Sequence, residues 1–140
     1  MEEKKIKGRK RHIAVDSMGN LLHVEVHAAN EHDTMAGGRV TERAISKYDS
    51  IEVACVDLGY RGTTVNYIMI VLHKRVIVSG RISSEWAVIP KRWVVERTFA
   101  WFNGYRRLAK DFEISIASAE NGIRIAHCSM LLRRLVAGAC

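Results

Sequence analysis

Residues 51–62 read IEVACVDLGYRG, and this stretch sets the architecture. From Ile51 to Val56 the run is almost continuously apolar, broken only by Glu52, and it is too short for a typical helix. The pattern predicts a short strand buried on both faces, the kind found in a sheet covered by helices. Asp57 follows the run directly, and Gly59 and Gly62 mark the loop behind it. A sheet fixes a side chain at a strand end while the adjoining loop leaves it reachable, so Asp57 is a candidate functional acid.

Working outward, RHIAV at 11–15 reads as a strand and DSMGN at 16–20 as a turn rich in Asp, Gly and Asn. LLHVEVH at 21–27 then alternates, with Leu22, Val24 and Val26 on one face and His23, Glu25 and His27 on the other. Those two strands predict a hairpin. Asp33 is placed to cap a helix running to about Tyr48, although Gly37 and Gly38 each weaken a helix by about 1 kcal/mol. Residues 63–73 suit a helix or a second buried element, RVIVS at 75–79 another strand, and 80–90 a loop. Pro90, the sole proline, precedes a long helix over 91–108, where a helix start tolerates it. Ser118 is the expected cap of a last helix with Ile123, Ala126, Met130 and Leu131 along its apolar stripe. The order predicts a mixed α/β chain with helices packed on a sheet.

The 140 residues carry 22 Lys and Arg against 15 Asp and Glu, a net charge of +7, with 48% apolar and 26% charged residues. That composition is globular rather than disordered, and the length suits one domain or a piece of one. No apolar run reaches the roughly 18 residues of a membrane span, and the N-terminus does not read as a secretory signal. Three cysteines without a CxxC motif argue against a disulfide framework or a zinc site, and fit a reducing cytoplasm. Residues 1–11 hold six cations against two acids, and 91–110 hold six against Glu96 alone, so the excess charge is concentrated in two places. The second cluster also contains Trp93, Phe99, Trp101, Phe102 and Tyr105. Cations interleaved with aromatics suit phosphates and bases, so nucleic acid is the expected partner; aromatics that simply pack a core are the plainer alternative.

Glu96 lies inside the expected helix, between Val95 and Arg97, with Arg92 four residues before it. Spacing alone favours an ion-paired residue over a metal ligand. A carboxylate pair from a strand end and a helix would nevertheless suit Mg²⁺, which takes one or two carboxylates along with phosphate and water. His23, Glu25 and His27, with His32 beyond, match no specific zinc spacing, and a solvated face is the plainer account. Asp16 reads as turn chemistry rather than as a third acid.

KGRKRHIAVDSMGNLLHVEVHAAN, VDLGYRG and PKRWVVERTFAWFNGYRRLAKDFE together resemble the DDE transposases of bacterial insertion sequences. The nearest group is the insertion-sequence-five-like one, within the insertion-sequence-four-like set. The likeness runs over about residues 5–136 and is most specific in RWVVERTFAW with YRRL behind it. It implies an α/β, RNase H-like mixed sheet with helices on its faces, and an Asp, Asp, Glu triad binding two Mg²⁺ or Mn²⁺ ions. Asp57 matches the second acid, Glu96 the third, and Arg92 the arginine of the signature around that glutamate. Asn103 stands where related families often have lysine, and Leu58 and Gly104 where arginine is common.

In the resembled family the first acid lies on a strand ahead of the basic segment. The expectation is therefore the C-terminal catalytic portion of such an enzyme, lacking the first strand and its Asp. It divides into a basic segment at 1–11, an RNase H-like core at 12–110 and a helical end at 111–140. DNA, as terminal inverted repeats and target, is the implied partner, besides a second copy or a full-length transposase; no membrane is implied. Lys7, Arg9, Lys10, Arg11, Arg92, Arg97, Arg106 and Arg107 are the expected DNA contacts. Metal-dependent phosphodiester cleavage and strand transfer is the implied activity, with little activity from this chain alone. The alternative is a non-catalytic DNA-binding remnant that competes or pairs with a full-length relative.

Overall fold

A computed structural model describes residues 8–79 and 90–138, with side chains at 90–93 excepted. Residues 80–89 of the expected loop, Lys7 and the Arg92 side chain therefore lie outside the described residues, while Pro90, expected as the loop's last residue, is helical. β1 (Arg9–Val15) and β2 (Leu21–Ala28) form the expected antiparallel hairpin, Ile13 opposite Val24 and Arg11 opposite Val26. The DSMGN turn is closed by Asp16, whose carboxylate accepts from the Met18 and Asn20 amides at 2.9 Å each. These bonds hold its pKa down, against a partial desolvation that pushes it up.

Helix α1 (Asp33–Lys47) follows. Asp33 is its first helical residue rather than a side-chain cap, and its carboxylate takes the Lys10 ammonium at 2.9 Å. β3 (Val53–Asp57) lies parallel to β4 (Arg75–Ser79), with Val53 opposite Arg75 and Asp57 opposite Ser79. Between them run a 3₁₀ turn at Leu58–Tyr60 and α2 (Thr63–Ile70), the right length for a parallel crossover. Helix α3 spans Pro90–Asn103, so the helix expected to reach 108 stops earlier. Gly104 ends it and a 3₁₀ turn at Arg106–Leu108 takes over. In α4 (Ile116–Gly138) the Ser118 amide donates to the Ser115 hydroxyl at 3.1 Å, so Ser115 caps the helix, not Ser118.

The architecture is mixed α/β. Among the described residues the four strands form two separate two-stranded sheets rather than one. The main core joins Val24 and Val26 of β2 to Phe102 of α3, Leu108, and Ala119, Ile123 and Ala126 of α4. The opposite face of β2 was expected to be solvated, yet His23 and His27 are buried. Helix α1 covers it: Lys47 donates to His23 Nδ1 at 2.7 Å, and Arg39 bridges Glu25 and Glu31. The hairpin is thus a middle layer, with α1 on its polar face and α3 and α4 on its apolar one. Alternation along a strand reports polarity, whereas coverage is decided by which helix returns over it. β3 is also less buried than its apolar run suggests, with Cys55 exposed, because it borders a cavity instead of a packed neighbour.

Gly37 has a packing reason to be in α1. A Cβ there would stand 2.5 Å from Cε1 of the Tyr60 ring. Gly37→Ala raises helix propensity by about 1 kcal/mol but overpacks this contact by about 1–3 kcal/mol. We expect net destabilisation near 1 kcal/mol in urea unfolding, opposite in sign to the propensity change alone.

Candidate active site

A cavity of about 850 Å³ lies between the two sheets, and both Asp57 and Glu96 border it. Its walls follow from the local structure. On α1, Gly37, Val40, Thr41, Ala44 and Ile45 line it, a single helical stripe at spacings of three and four. Val94, Val95 and Phe99 of α3 line it from the other helix layer. β1 contributes every residue from His12 to Val15, and β3 every residue from Val53 to Asp57. Successive strand residues point to opposite faces, so a cavity below one face would meet alternate residues. Contact with each residue in turn means that the edges of β1 and β3 form its sides.

Asp57 is held at the end of β3, where its Oδ1 accepts the Leu58 amide at 2.8 Å and starts the 3₁₀ turn. Glu96 is exposed on α3, and α3 is fixed by its contact with the hairpin turn. Thr98, fully buried, donates to the Gly19 carbonyl at 3.1 Å, and Arg97 donates to the Met18 carbonyl at 2.9 Å. Gly19 has φ +85°, and a Cβ on it would meet Thr98 Oγ1 at 2.9 Å, so only glycine permits this approach. Two carboxylates offer hard oxygen donors, which suits Mg²⁺ or Mn²⁺. Asp16 also borders the cavity, but its oxygens accept the turn hydrogen bonds described above.

The cationic residues singled out in the sequence are dispersed. Arg9 donates to the Glu113 and Ile114 carbonyls, and Arg11 to the Leu108 carbonyl at 2.6 Å, so both tie β1 to the segment after α3. Lys10 pairs with Asp33, and Arg107 with Glu113 at 3.0 Å. Arg106 is exposed. Arg97 lies over the Trp101 ring at 4.8 Å, and Arg134 of α4 lies over the same ring at 4.6 Å. Arg133 stands 6.0 Å from the Tyr105 ring. Sequence reasoning missed Arg133 and Arg134; the dibasic LLRRL was their only signal, and the docking of α4 on α3 decides their place. Of the aromatics, Phe102 is in the core and Phe99 and Tyr105 pack against it. Trp93 lies outside the described side chains.

The histidines form a different cluster from the one the strand alternation suggested. His12 Nδ1 stands 2.6 Å from His27 Nε2, the rings stack at 4.7 Å, and Asp33 lies within 4.8 Å of both. His27 Nδ1 donates to the Ala28 carbonyl at 2.9 Å, which leaves its Nε2 to accept from His12. Two imidazole nitrogens on one tetrahedral ion sit roughly 3.3 Å apart, so this is a hydrogen-bonded pair rather than a preformed ligand set.

Burial, and then the facing His27, push the His12 pKa down. Burial also lowers His23, with Lys47 adding to it, and His127, with Arg134 adding to it. The Leu21 amide donates to His127 Nε2 at 3.0 Å, a bond that needs an unprotonated nitrogen. A folded-state pKa below the unfolded value means the unfolded chain binds more protons. The stability these groups give is therefore full above about pH 6.5 and is lost as pH falls below it. We expect the urea midpoint to drop between pH 7.5 and pH 5, above the range where the carboxylates titrate. His127→Gln, whose Oε1 can still accept from Leu21, should flatten that profile.

Among the described residues no helix is long and apolar enough to cross a membrane. No curated protein and no solved structure matches the chain significantly. The family profile described as the transposase DDE domain matches residues 2–131, nearly the whole sequence, including both carboxylates that border the cavity. On that match the chain belongs to the transposase DDE domain family.

Proposed function

We propose that this chain acts in DNA transposition as the C-terminal catalytic portion of an insertion-sequence transposase of the insertion-sequence-five-like group. Asp57 and Glu96 are its metal-binding acids. The observation that carries the reading is that these two carboxylates, from a strand end and a helix far apart in sequence, border one cavity. An RNase H-like arrangement is the corresponding fold reading, supported by the hairpin, the parallel β3–β4 unit and helices on both faces. Asp57 and Glu96 would hold Mg²⁺ or Mn²⁺. Two such ions supply activation of an attacking oxygen and stabilisation of the leaving one in phosphodiester chemistry.

The chain's own residues do the rest. β3 and its 3₁₀ turn hold Asp57 rigidly, and the Thr98–Gly19 contact fixes the helix that carries Glu96. Arg97, Arg106 and Arg107 hold DNA phosphates, with Arg133 and Arg134 extending that surface around Trp101 and Tyr105. Arg9, Lys10 and Arg11 supply positive potential while bracing the hairpin; Lys7 and Arg92 complete the proposed contacts. The reaction is attack of water on a phosphodiester at the element end, then attack of the freed 3′-hydroxyl on target DNA. With two acids in place of three, the chain alone cleaves little.

Two measurements test this reading. Affinity for duplex DNA should fall steeply with salt, and Arg106→Ala or Arg107→Ala should each reduce the slope of log K against log [salt] by about 1. Single-turnover nicking of terminal inverted repeats with Mn²⁺ should stay near background for the 140-residue chain. Robust cleavage by that chain would refute the two-acid reading, and salt-insensitive DNA affinity would refute the phosphate contacts.

A further inference from the structure

We infer that Tyr60 is a positioning residue for Asp57: its ring, keyed onto Gly37 of α1, sets where the end of β3 stands relative to Glu96. The two acids are carried by parts of the fold that no strand ladder joins. Among the described residues β3 pairs with β4 alone, and the hairpin strands pair only with each other. Glu96 takes its place from the hairpin, because Thr98 ties α3 to the turn at Gly19. Asp57 takes its place from α1. It opens the 3₁₀ turn that Tyr60 ends, and the Arg61 amide closes that turn on the Leu58 carbonyl at 3.1 Å. α1 is itself tied to β2, through Lys47 with His23 and Arg39 with Glu25. The relative placement of the two acids therefore runs through the seat of Tyr60 on α1.

The seat is close-fitting. A Cβ on Gly37 would meet Cε1 and Cδ1 of the ring at 2.5 and 2.6 Å, so the ring edge rests on the helix backbone itself. His12 of β1 meets the same ring edge-on, at 6.1 Å between centroids, and His12 stacks in turn on His27. These contacts are made by the ring and not by the hydroxyl. One turn earlier on the same face of α1, the buried Thr64 donates to the Thr34 carbonyl at 2.6 Å, a second point that keeps α2 from pivoting about the ring. Burial, and then the charges of Asp33 and Asp57, push the Tyr60 pKa up, so the phenol stands in the field of the acid it places. A 3₁₀ turn rises about 2 Å per residue, which puts the ring and the carboxylate about 6 Å apart along the chain. A binding constellation tolerates about 0.5 Å of misplacement, so a loose ring is enough to spoil the site. The inference rests on the proposed function in taking Asp57 and Glu96 as ligands of one cation.

The test makes two measurements on the whole chain. One is Mn²⁺ affinity, read from the spin resonance of the free ion. The other needs no metal: the distance between nitroxide labels on the exposed Cys55 of β3 and Cys128 of α4, in a Cys140→Ser background. Tyr60→Phe keeps the ring and should match the wild type in both. Tyr60→Ala empties the seat and should weaken Mn²⁺ binding by about 10–100-fold, the range for groups that hold a ligand without touching the ion, while broadening the label distance. Gly37→Ala pushes the ring out from the helix side and should weaken binding by at least about 10-fold; it decides the matter if Tyr60→Ala does not fold. Ile123→Val loosens the core on the other face of the hairpin and should leave Mn²⁺ affinity unchanged. Wild-type Mn²⁺ affinity or an unchanged label distance in Tyr60→Ala overturns the inference. So does a loss in Tyr60→Phe equal to that in Tyr60→Ala, or a loss in Ile123→Val equal to that in Gly37→Ala. Absence of Mn²⁺ binding in the wild type sinks the cation site instead, and the label distance alone then decides whether Tyr60 places β3.

Discussion

Asp57→Asn and Glu96→Gln should each weaken Mn²⁺ binding by at least about 100-fold, the upper end of what removing even an outer-shell partner costs. Hard divalent ions of this kind carry few protein ligands, so losing one of two carboxylates removes a large part of the site. The amide replacements keep side-chain volume and change only charge and donor strength. On the proposal that both residues act on the same ion, the double variant should be little worse than either single one. Isothermal titration of Mn²⁺, with the urea transition of each variant as a folding control, checks this. Wild-type Mn²⁺ affinity in both single variants would show that Asp57 and Glu96 share a cavity without sharing an ion.

The second large effect is on stability. Ile123→Ala should cost about 2–5 kcal/mol, since large-to-small changes in a packed core lose both transfer energy and cavity contacts. Ile123 is 1% exposed and joins Val24, Val26 and Phe102, so it ties α4 to the hairpin and to α3. Native stabilities of about 5–15 kcal/mol make that a large fraction of the total. Leu132 and Leu135 lie on the same helix but are 62% and 70% exposed. Leu132→Ala and Leu135→Ala should therefore stay within about 0.5 kcal/mol in the isolated chain. Equal destabilisation at Ile123 and Leu132 would mean that α4 docks through a different face.

Much of the fold was legible because it is local. The hairpin follows from alternation in LLHVEVH and from the turn residues Asp16 and Gly19. The β3–α2–β4 unit follows from two short apolar runs separated by a crossover. Errors arose where a neighbour in space decides. Two others were local: Gly104 is a common helix stop directly after Asn103, hidden by the aromatic and basic run continuing to 108, and Ser115 competes with Ser118 for the same role as cap. The face of His23, Glu25 and His27 reads as solvated because its residues are polar. α1 covers it by supplying Arg39 and Lys47 as partners.

The metal-binding role proposed for Asp57 and Glu96 rests on the family resemblance; the sequence by itself determined that the first ends a strand, that the second lies within a helix, and that the chain is basic. Each is a property of one segment, written in residue type and spacing. Only the tertiary structure decided that Asp57 and Glu96 border one cavity, that Arg9 and Arg11 brace the segment after α3, and that Arg134 meets Arg97 across Trp101. Those facts depend on how separate segments pack, and packing depends on surfaces that meet from distant parts of the chain. The break between β1 and β3 belongs to the same class, because strand pairing is settled by which edges come within hydrogen-bonding reach.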